Sequence, residues 1–368
     1  MKQLVALCFL FCQTALGQTV IVTELAELPS TIYETSGLEN GPDGCFWTHN
    51  DSGNGPQLYC VDTTGTIQRT VSIFGDQNTD WEELTKDNDG NLYIGNCGNN
   101  ELNRTDLRIV KVPSVDTCTA TTYVTDTIRF SYPDQVSFPP AGDYGNFDME
   151  AMFWHQDSLH LFSKDRSDPS TGFTKHYTLP TEGGSYTANL VDSFEVENPS
   201  FFLAITAADI NEDGTEMVLL SADKIWLFNN FNSTNYFGGD VSVLNLSVFS
   251  QKEGICYRNG FLYITDEQSF GLGGKIYRVD TRLFVSVEER EEPFCIKAIY
   301  NHDYTLDKVI LRNDSPTGWK LFSSDGKLIQ TGSSSTQILR NEFLAPAGIY
   351  VLQLARKGNA TSSNMLKL

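Results

Sequence analysis

The sequence has few basic residues. Its 368 residues include 26 lysines and arginines against 47 aspartates and glutamates, which gives a formal net charge of −21. A protein that binds nucleic acid or an anionic membrane surface neutralises phosphate groups with a basic patch, and this chain has too few cations to build one. The composition therefore predicts no nucleic-acid partner. An acidic surface is compatible with the binding of cations or carbohydrates, or with a role in solubility alone.

Long hydrophobic runs are also missing. Residues 1–18, MKQLVALCFLFCQTALGQ, place a lysine before a short apolar stretch, the pattern of a secretory signal peptide cleaved near Gly17 or Gln18. The stretch is too short to span a bilayer as a helix, and the sequence has no other one. A lipoprotein would need a cysteine at the cleavage point, where Gln18 stands instead. We therefore predict an exported chain, secreted or at the outer cell surface, without a transmembrane segment.

No two cysteines have CxxC spacing. Six cysteines follow the predicted signal peptide, at positions 45, 60, 97, 118, 256 and 295. An even number in an exported chain permits up to three disulfides, and sequential pairing is the simplest arrangement because Cys45 and Cys60 could face each other across adjacent strands. Metal ligation by cysteine is the alternative, which the spacing does not favour.

Several common catalytic motifs are absent as well. The sequence contains no GxSxG, HExxH, GxxxxGK[ST] or GxGxxG pattern. The serine hydrolase, zincin and nucleotide-binding interpretations therefore lack support, and we expect no nucleotide cofactor.

The chain is rich in short alternating strands joined by Gly, Asp and Asn turns, and it lacks helical periodicity, so we predict an all-β protein. Five segments share a small or acidic residue, an apolar residue two places on, a polar turn and a strand with a polar end. They are YETSGLENGPDGCFWTHND (33–51), DWEELTKDNDGNLYIGN (80–96), DMEAMFWHQDSLHLFSKD (148–165), ITAADINEDGTEMVLLSAD (205–223) and QKEGICYRNGFLYITDE (251–267). Recurrence at intervals of 46, 68, 56 and 47 residues is typical of a β-propeller.

We predict a five-bladed propeller over residues 19–282, or a six-bladed one if the second unit hides a divergent blade. TYVTDTIRFSY (122–132) and YTANLVDSFEV (186–196) are expected as outer strands of the second and third units. The fifth unit lacks an outer strand, which we expect from TVIVTELAEL (19–28), because this closure would leave no open edge. Residues 283–296 are a predicted linker, and residues 297–368 a small β-sandwich.

The C-terminal segments GWKLFSSDGKLIQ and LAPAGIYVLQL resemble the sorting domain of the type IX secretion system of Bacteroidota. The specific part is Leu344-Ala345-Pro346-Ala347-Gly348-Ile349-Tyr350, with Asp325-Gly326-Lys327 upstream. The resemblance implies that the secretion machinery is a partner and that the chain crosses the outer membrane. An ordinary accessory β-sandwich is the alternative.

Propeller geometry predicts a single polar face. The innermost strand of each blade lines the central channel and the next strand returns antiparallel, so the start of the first and the end of the second share one rim. The inner set of rim residues consists of Ser36, Glu82, Glu150, Thr206 and Glu253, preceded by Glu34, Asp80 and Asp148. The outer set consists of Asn50, Asp51, Asn96, Lys164, Asp165, Asp223, Asp266 and Glu267, and His49 ends a second strand on the same face.

Carboxylates around a narrow axis repel one another unless protons, a cation or a basic ligand group offset them. Hard oxygen ligands suit Ca²⁺ or Mg²⁺, so we expect Glu82, Glu150 and Glu253 to hold a metal ion. Polar capping of the channel is the alternative. Glu83 alternates away from Glu82 and is expected at the blade interface.

Four side chains on or near this face, His49, Trp81, Lys164 and Arg166, have two interpretations each. His49 is either a general base or ligand, or a hydrogen-bonded rim residue. The position of Trp81 in its strand predicts a place in the interblade core, like those of Trp47, Trp154 and Trp226. Because it lies beside the rim, it could instead stack on a sugar. Lys164 and Arg166 either bind an anionic group or pair with rim carboxylates.

The propeller resembles phytase-like and gluconolactonase-like β-propellers, in which an EG or EA at an inner strand start and a following D hold a divalent ion. Glu150-Ala151, Glu253-Gly254 and Asp266 match this pattern, whereas Ser36 and Thr206 stand in place of two further acids. The resemblance implies a metal-bearing face and ester or lactone hydrolysis. Three functions remain open: binding of a divalent cation or of a small polar or glycan ligand, metal-dependent hydrolysis of the phytase or lactonase type, and protein interaction at the cell surface.

Overall fold

The structure is a computed structural model of the chain. It describes residues 18–140, 145–196, 204–269 and 272–281, and in the C-terminal part 295–300, 306–312, 318–323, 327–333, 337–339, 344–346, 349–355 and 361–367. The predicted signal peptide up to Gly17, most of the predicted linker, and Asp325, Gly326, Ala347 and Gly348 of the sorting motif lie outside the described residues. The chain divides into two compact units, Met1–Leu283 and Phe284–Leu368.

The first unit is built from β-strands, numbered here in chain order. The N-terminal segment and first repeat contain β1 Gln18–Val20, β2 Thr23–Glu27, β3 Thr35–Asn40, β4 Phe46–Asn50, β5 Gln57–Val61 and β6 Ile67–Phe74. The second and third repeats contain β7 Trp81–Lys86, β8 Leu92–Asn96, β9 Arg108–Val112, β10 Thr121–Tyr123, β11 Asp126–Ser131, β12 Asp148–His155, β13 Ser158–Lys164, β14 Phe173–Pro180, β15 Gly184–Thr187 and β16 Asn189–Glu195. The last two contain β17 Ala207–Ile210, β18 Glu216–Leu220, β19 Lys224–Asn229, β20 Asp240–Leu246, β21 Lys252–Arg258, β22 Phe261–Asp266 and β23 Lys275–Asp280.

These strands form the five blades of a propeller. From the axis outwards, the main strands are β3-β4-β5-β6, β7-β8-β9-β11, β12-β13-β14-β16, β17-β18-β19-β20 and β21-β22-β23-β2. Each innermost strand contacts that of the next blade, and β21 of blade 5 contacts β3 of blade 1. The ring is therefore closed, and the prediction of five blades rather than six is confirmed.

The N-terminal segment closes the ring. Strand β2 runs antiparallel to β23, with Thr23 opposite Arg278 and Glu27 opposite Lys275, so it is the predicted outer strand of blade 5. The residues before it leave that blade, because β1 pairs in parallel with β20 at the outer edge of blade 4. The N-terminal segment thus joins the last two blades to each other.

The same kind of connection recurs around the ring. The segment between the third and fourth strands of a blade reaches back to the preceding blade: β10 adds in parallel to β6 of blade 1, and β15 to β11 of blade 2. In blade 4 this connection is a short 3₁₀ turn, Tyr236–Gly238, and Phe237 packs against Phe162 and His176 of blade 3. In blade 1 it contains Gly65, which lies against Glu27 of β2 in blade 5.

This finding corrects two predicted strands. The segment 122–132 is divided between β10 in blade 1 and β11 in blade 2, and the segment 186–196 between β15 and β16. The physical reason is that a run of alternating residues predicts extended backbone but does not determine which sheet edge each part pairs with.

The apolar core lies between the blades. Trp47 and Trp81 belong to the cluster between blades 1 and 2, and Trp226 to that between blades 3 and 4. All three side chains are fully buried, as expected for interblade core, while Trp154 is partly buried against the cluster between blades 2 and 3. No helix in the described residues has the length and apolar character needed to cross a bilayer.

One predicted disulfide is present. Cys45 and Cys60 are bonded, which links the residue before β4 to β5. Sequential pairing is wrong beyond this bond, because Cys97, Cys118 and Cys256 are free thiols. Cys97 is buried between blades 2 and 3, whereas Cys118 packs against the cluster between blades 1 and 2, so these two cannot meet.

The second unit is also all-β. Its strands are β24 Cys295–Tyr300, β25 Leu306–Arg312, β26 Gly318–Ser323, β27 Leu328–Gly332, β28 Gln337–Leu339, β29 Ile349–Ala355 and β30 Thr361–Lys367. They form two small antiparallel sheets in the orders β24-β25-β28 and β27-β26-β29-β30, with Leu321, Ile338 and Leu352 buried.

Candidate cation-binding site

Three of the inner strands carry a β-bulge at a glutamate. The bulge falls at Glu150 in β12 and at Glu253 in β21, and in β7 it covers Glu82 and Glu83. A bulge inserts an extra residue and redirects its side chain. The bulges therefore allow these glutamates to depart from regular strand alternation near the propeller axis.

Two groups of carboxylates meet there and share one member. Oxygen atoms of Asp51, Asp80 and Glu82 lie within 4.8 Å of one another, and so do oxygens of Glu82, Asp148 and Glu150. We call these the first and the second triad. Asp51 is half-buried and the other four are buried, so their mutual repulsion is poorly screened by water.

The second triad is already paired with cations. The Arg166 guanidinium bonds to Asp148 through Nε and to Glu150 Oε1 at 2.8 Å, and Lys164 Nζ lies 3.1 Å from Glu150 Oε2. The backbone N–H of Asn99 donates to the other Asp148 oxygen. Burial alone would raise the pKa of Glu150, but Lys164 and Arg166 outweigh it and hold that pKa below its ordinary value. The pairing interpretation of both cations is the one that the geometry supports.

The first triad has no such partner at Glu82. Within the described parts of the chain, no residue makes a hydrogen bond or a close ion pair with the Glu82 carboxylate, although the residue is only 4% exposed, and Arg166 interacts with its charge at longer range. Burial, together with the negative charges of Glu150 and Asp51, raises its pKa well above the ordinary value. A Cβ on Gly98 would lie 2.0 Å from Glu82 Oε1, so any other residue there would displace the Glu82 carboxylate.

Asp51 of the first triad and two acids near the triads, Glu253 and Glu267, also have raised pKa values. Burial raises the pKa of Glu253 to about 8 against the opposing effect of Lys164, whose Nζ is 4.0 Å from Glu253 Oε1. Burial and the charge of Glu253 raise the pKa of Glu267 to about 9, and burial raises that of Asp51 to about 7. Glu253 Oε2 is buried and has no hydrogen-bond partner among the described residues. At neutral pH, protons therefore offset part of the negative charge on this face.

Glu83 lies on the other side of the bulge from Glu82 and fills space at the axis. Its Oε1 accepts hydrogen bonds from the backbone of Leu38 in blade 1, at 3.3 Å, and of Leu84, at 3.0 Å. Burial raises the pKa of Glu83 well above its ordinary value. Through its bond to Leu38, Glu83 connects blade 2 to blade 1.

The two hydroxyl residues of the inner set bind backbone rather than facing the acids. Ser36 Oγ donates to the carbonyl of Glu82 and Thr206 Oγ1 to the carbonyl of Lys252, each at 2.5 Å. Both carbonyls belong to the next blade, so these hydroxyls connect neighbouring blades.

His49, Asn50 and Trp81 are buried beside the site. Burial lowers the pKa of His49 to about 4, its Nδ1 lies 3.1 Å from the Asn50 carbonyl, and its ring packs edge-on against Trp81 at 5.4 Å. The side chain of Asn50 donates to the carbonyl of Thr31. Trp81 is fully buried and presents no ring face to the rim.

Three predicted rim residues organise loops. Asn96 accepts from the backbone N–H of Asp80 at 3.2 Å and so positions that acid. Asp165 accepts the backbone N–H of Gly172 at 2.9 Å, and Asp266 accepts from the Tyr277 hydroxyl at 2.7 Å.

The sequence interpretation missed the roles of Gly98 and Asn99. Gly98 leaves room for the Glu82 carboxylate, and the Asn99 backbone binds Asp148 of the next blade. The available signal was the Gly-Asn-Asn run that directly follows the end of a second strand.

No family model and no curated protein matches the chain. Solved structures that match it include PorZ of Porphyromonas gingivalis, described as an essential surface component of the type-IX secretion system, at 11% identity and a TM-score of 0.32 over 90% of this chain and 44% of that one. A streptogramin B lyase matches at 13% identity and a TM-score of 0.36, over 94% and 97% of the two chains. The periplasmic gluconolactonase PpgL of Pseudomonas aeruginosa matches at 11% and 0.33, over 91% and 95%. The chain spans less than half the length of PorZ, and these likenesses assign it no substrate or reaction.

Proposed function

We propose that the chain is an exported β-propeller that binds a divalent cation, Ca²⁺ or Mg²⁺, at the first triad and engages a small polar or glycan ligand there. The observation that carries this proposal is the Glu82 carboxylate, which is buried, is grouped with Asp51 and Asp80, and has no hydrogen-bond or ion-pair partner among the described residues. Burial and the neighbouring acids disfavour the charged form of Glu82, and a bound cation would offset that cost.

The donor set fits a hard cation. Carboxylate oxygens are the ligands that Ca²⁺ and Mg²⁺ take, and two oxygens bound at about 2.4 Å from one ion can be separated by at most about 4.8 Å. The oxygens of Asp51, Asp80 and Glu82 meet this limit. Asp51 is half-buried, which leaves one side of the triad open to water and to a ligand.

Calorimetric titration and thermal melting test cation binding. With Ca²⁺ at about 100 times its dissociation constant, we expect about 2.7 kcal/mol of stabilisation, which corresponds to roughly 5–10 °C in Tm. Glu82→Gln should abolish the shift. Glu83→Gln is the matched control, because Glu83 belongs to neither triad and its Oε1 accepts from the backbone of Leu38 and Leu84, and it should retain the shift. A wild-type protein that binds neither Ca²⁺ nor Mg²⁺ would refute the proposal.

Metal-dependent hydrolysis of a lactone or phosphoester is a second candidate, favoured by the state of Glu253. This buried acid has a pKa of about 8 and an unpartnered oxygen, so it could hold the proton that a leaving group takes up. A bound ion would supply Lewis-acid activation of water or of a carbonyl. Glu253→Gln should then lose turnover while keeping cation binding, and an absence of turnover on both substrate classes in the wild type would exclude this candidate.

Export through the predicted signal peptide and the type IX system is part of the same proposal. The Cys45–Cys60 disulfide supports an oxidising, extracytoplasmic location. N-terminal sequencing of the protein recovered from culture medium or cell surface should begin near Gln18, and removal of residues 297–368 should leave the protein in the periplasm. An unprocessed chain inside the cell would contradict export.

A further inference from the structure

Two overlapping carboxylate triads raise the question of how many ions the axial face takes. We propose that Arg166 and Lys164 restrict it to a single divalent cation by acting as built-in cations of the second triad. This inference rests on the proposed cation binding at the first triad.

By oxygen spacing alone, both triads are suited to an ion. In each, three carboxylate oxygens lie within 4.8 Å of one another, and Glu82 belongs to both. The second triad is the more buried of the two, since Asp148 is 0% exposed and Glu150 3% exposed, whereas Asp51 of the first triad is half-buried. Something other than oxygen geometry must therefore distinguish them.

Both triads draw their acids from two neighbouring blades, blades 1 and 2 for the first triad and blades 2 and 3 for the second. They differ in the basic residues beside them. In the second triad, Asp148 and Glu150 lie on β12, and Lys164 ends β13 of the same hairpin, with Arg166 two residues further on. Asp148 lies directly opposite Lys164 in that ladder, so the strand register fixes the cations beside their acids.

The carboxylate oxygens of Asp148 and Glu150 in the second triad are also already bonded. Arg166 bridges the two acids, and Lys164 takes the second oxygen of Glu150 at 3.1 Å. A divalent ion would have to displace both basic side chains and leave them buried without their partners, which is strongly unfavourable. At the first triad, an ion would meet the Glu82 carboxylate, to which no basic side chain is bonded in the part of the chain that the structure describes.

The test measures stoichiometry, by calorimetric titration with Ca²⁺ and by equilibrium dialysis with metal analysis of the full chain. We expect one ion per wild-type chain and two ions in Arg166→Gln, which frees Asp148 and one oxygen of Glu150. Arg166→Lys keeps a positive charge and should stay at one. Lys175→Met removes a lysine that pairs with Asp134 away from the triads, and it should also stay at one.

Two additional variants address folding. If Arg166→Gln does not fold, Lys164→Met is the alternative test. It releases one oxygen of Glu150 and should raise the affinity of the second triad for Ca²⁺. Glu150→Gln in the wild-type background should still bind one ion, because Glu150 is not a ligand of that ion. Loss of the single ion in Glu150→Gln, or two ions in the wild type, would overturn the inference.

The outcomes separate this inference from the proposed function. If the wild type, Arg166→Gln and Lys164→Met all fold and each binds one ion, Arg166 and Lys164 do not block a second ion. The proposed cation binding would then still stand. No ion in the wild type but one in Arg166→Gln refutes binding at the first triad and supports the blocking role of Arg166. No ion in any of them refutes both.

Discussion

At the scale of single residues, partners decide the state of a buried acid. Glu82 and Glu150 are both glutamates at a bulge of an inner strand, yet burial and neighbouring acids raise the pKa of Glu82, while two cations lower that of Glu150. The repeat in the sequence predicted that both reach the axial face. It could not predict their ionisation, because Arg166 and Lys164 reach Glu150 through side-chain geometry that a repeat does not encode.

Two histidines illustrate the same effect for bases. His160 and His176 are buried in blade 3, with Nδ1 of the first 2.9 Å from Nε2 of the second. Burial lowers the pKa of His160 to about 4 and that of His176 to about 3. In the unfolded chain both histidines have a pKa of about 6.5. The unfolded state therefore takes up protons first, so this stabilisation is complete above pH 6.5 and declines as the pH falls towards 4.

We expect His176→Gln to reduce this pH dependence. Each histidine should lower the free energy of unfolding by about 1.4 kcal/mol per pH unit below pH 6.5, which amounts to about 2 kcal/mol between pH 7.5 and 5.0. The measurement is the free energy of unfolding in urea at both pH values, for wild type and variant. Acids of the axial face change stability in the opposite direction, but they do so in both proteins and cancel in the comparison. Equal pH dependence in the two proteins would contradict the prediction.

At the scale of strands, the connections between blades hold the ring together. The sequence predicted that an N-terminal strand completes blade 5, because that repeat lacked its outer strand, and β2 confirms it. It did not predict that β10 and β15 join the preceding blade, since short parallel pairs leave no pattern of their own. Nor did it predict the bulges, which depend on how two strands pair rather than on either strand alone.

Gly65 provides a test of the connection that joins blade 1 to β2. Its φ is +78°, and a Cβ there would lie 2.2 Å from the carbonyl oxygen of Glu27. Gly44 has a similar φ of +83° but no atom within 4 Å of its Cβ position. Gly44→Ala should therefore cost about 1 kcal/mol for backbone strain alone, and Gly65→Ala about 2–4 kcal/mol because it also displaces β2.

The measurement for both glycine variants is chemical denaturation, combined with limited proteolysis of the N-terminal segment. Gly65→Ala should expose residues 18–27 to cleavage, while Gly44→Ala should not. Equal destabilisation of the two variants would mean that the contact between Gly65 and Glu27 contributes nothing to closure.

At the scale of the whole molecule, sequence and topology were enough for the fold class and the blade number. Five repeats with a missing outer strand determine a closed ring, and a closed ring brings the starts of its inner strands to one axis. The number of ions could not be predicted in this way. That number depends on whether a cation lies opposite each acid, as Lys164 does opposite Asp148.

The closure of the ring predicts that the first unit folds without the second. All strands of the five blades lie between Gln18 and Asp280, and the chain divides into its two units after Leu283. A protein that comprises residues 18–283 should therefore melt within about 3 °C of the full chain, since it loses none of these strands, and its Ca²⁺-induced shift should be unchanged. A second truncation, residues 28–283, lacks β2 and should lose cooperative melting, because blade 5 is left with an open edge. Aggregation of the first truncation, or loss of its Ca²⁺ response, would show that the ring and its axial site need residues beyond Leu283.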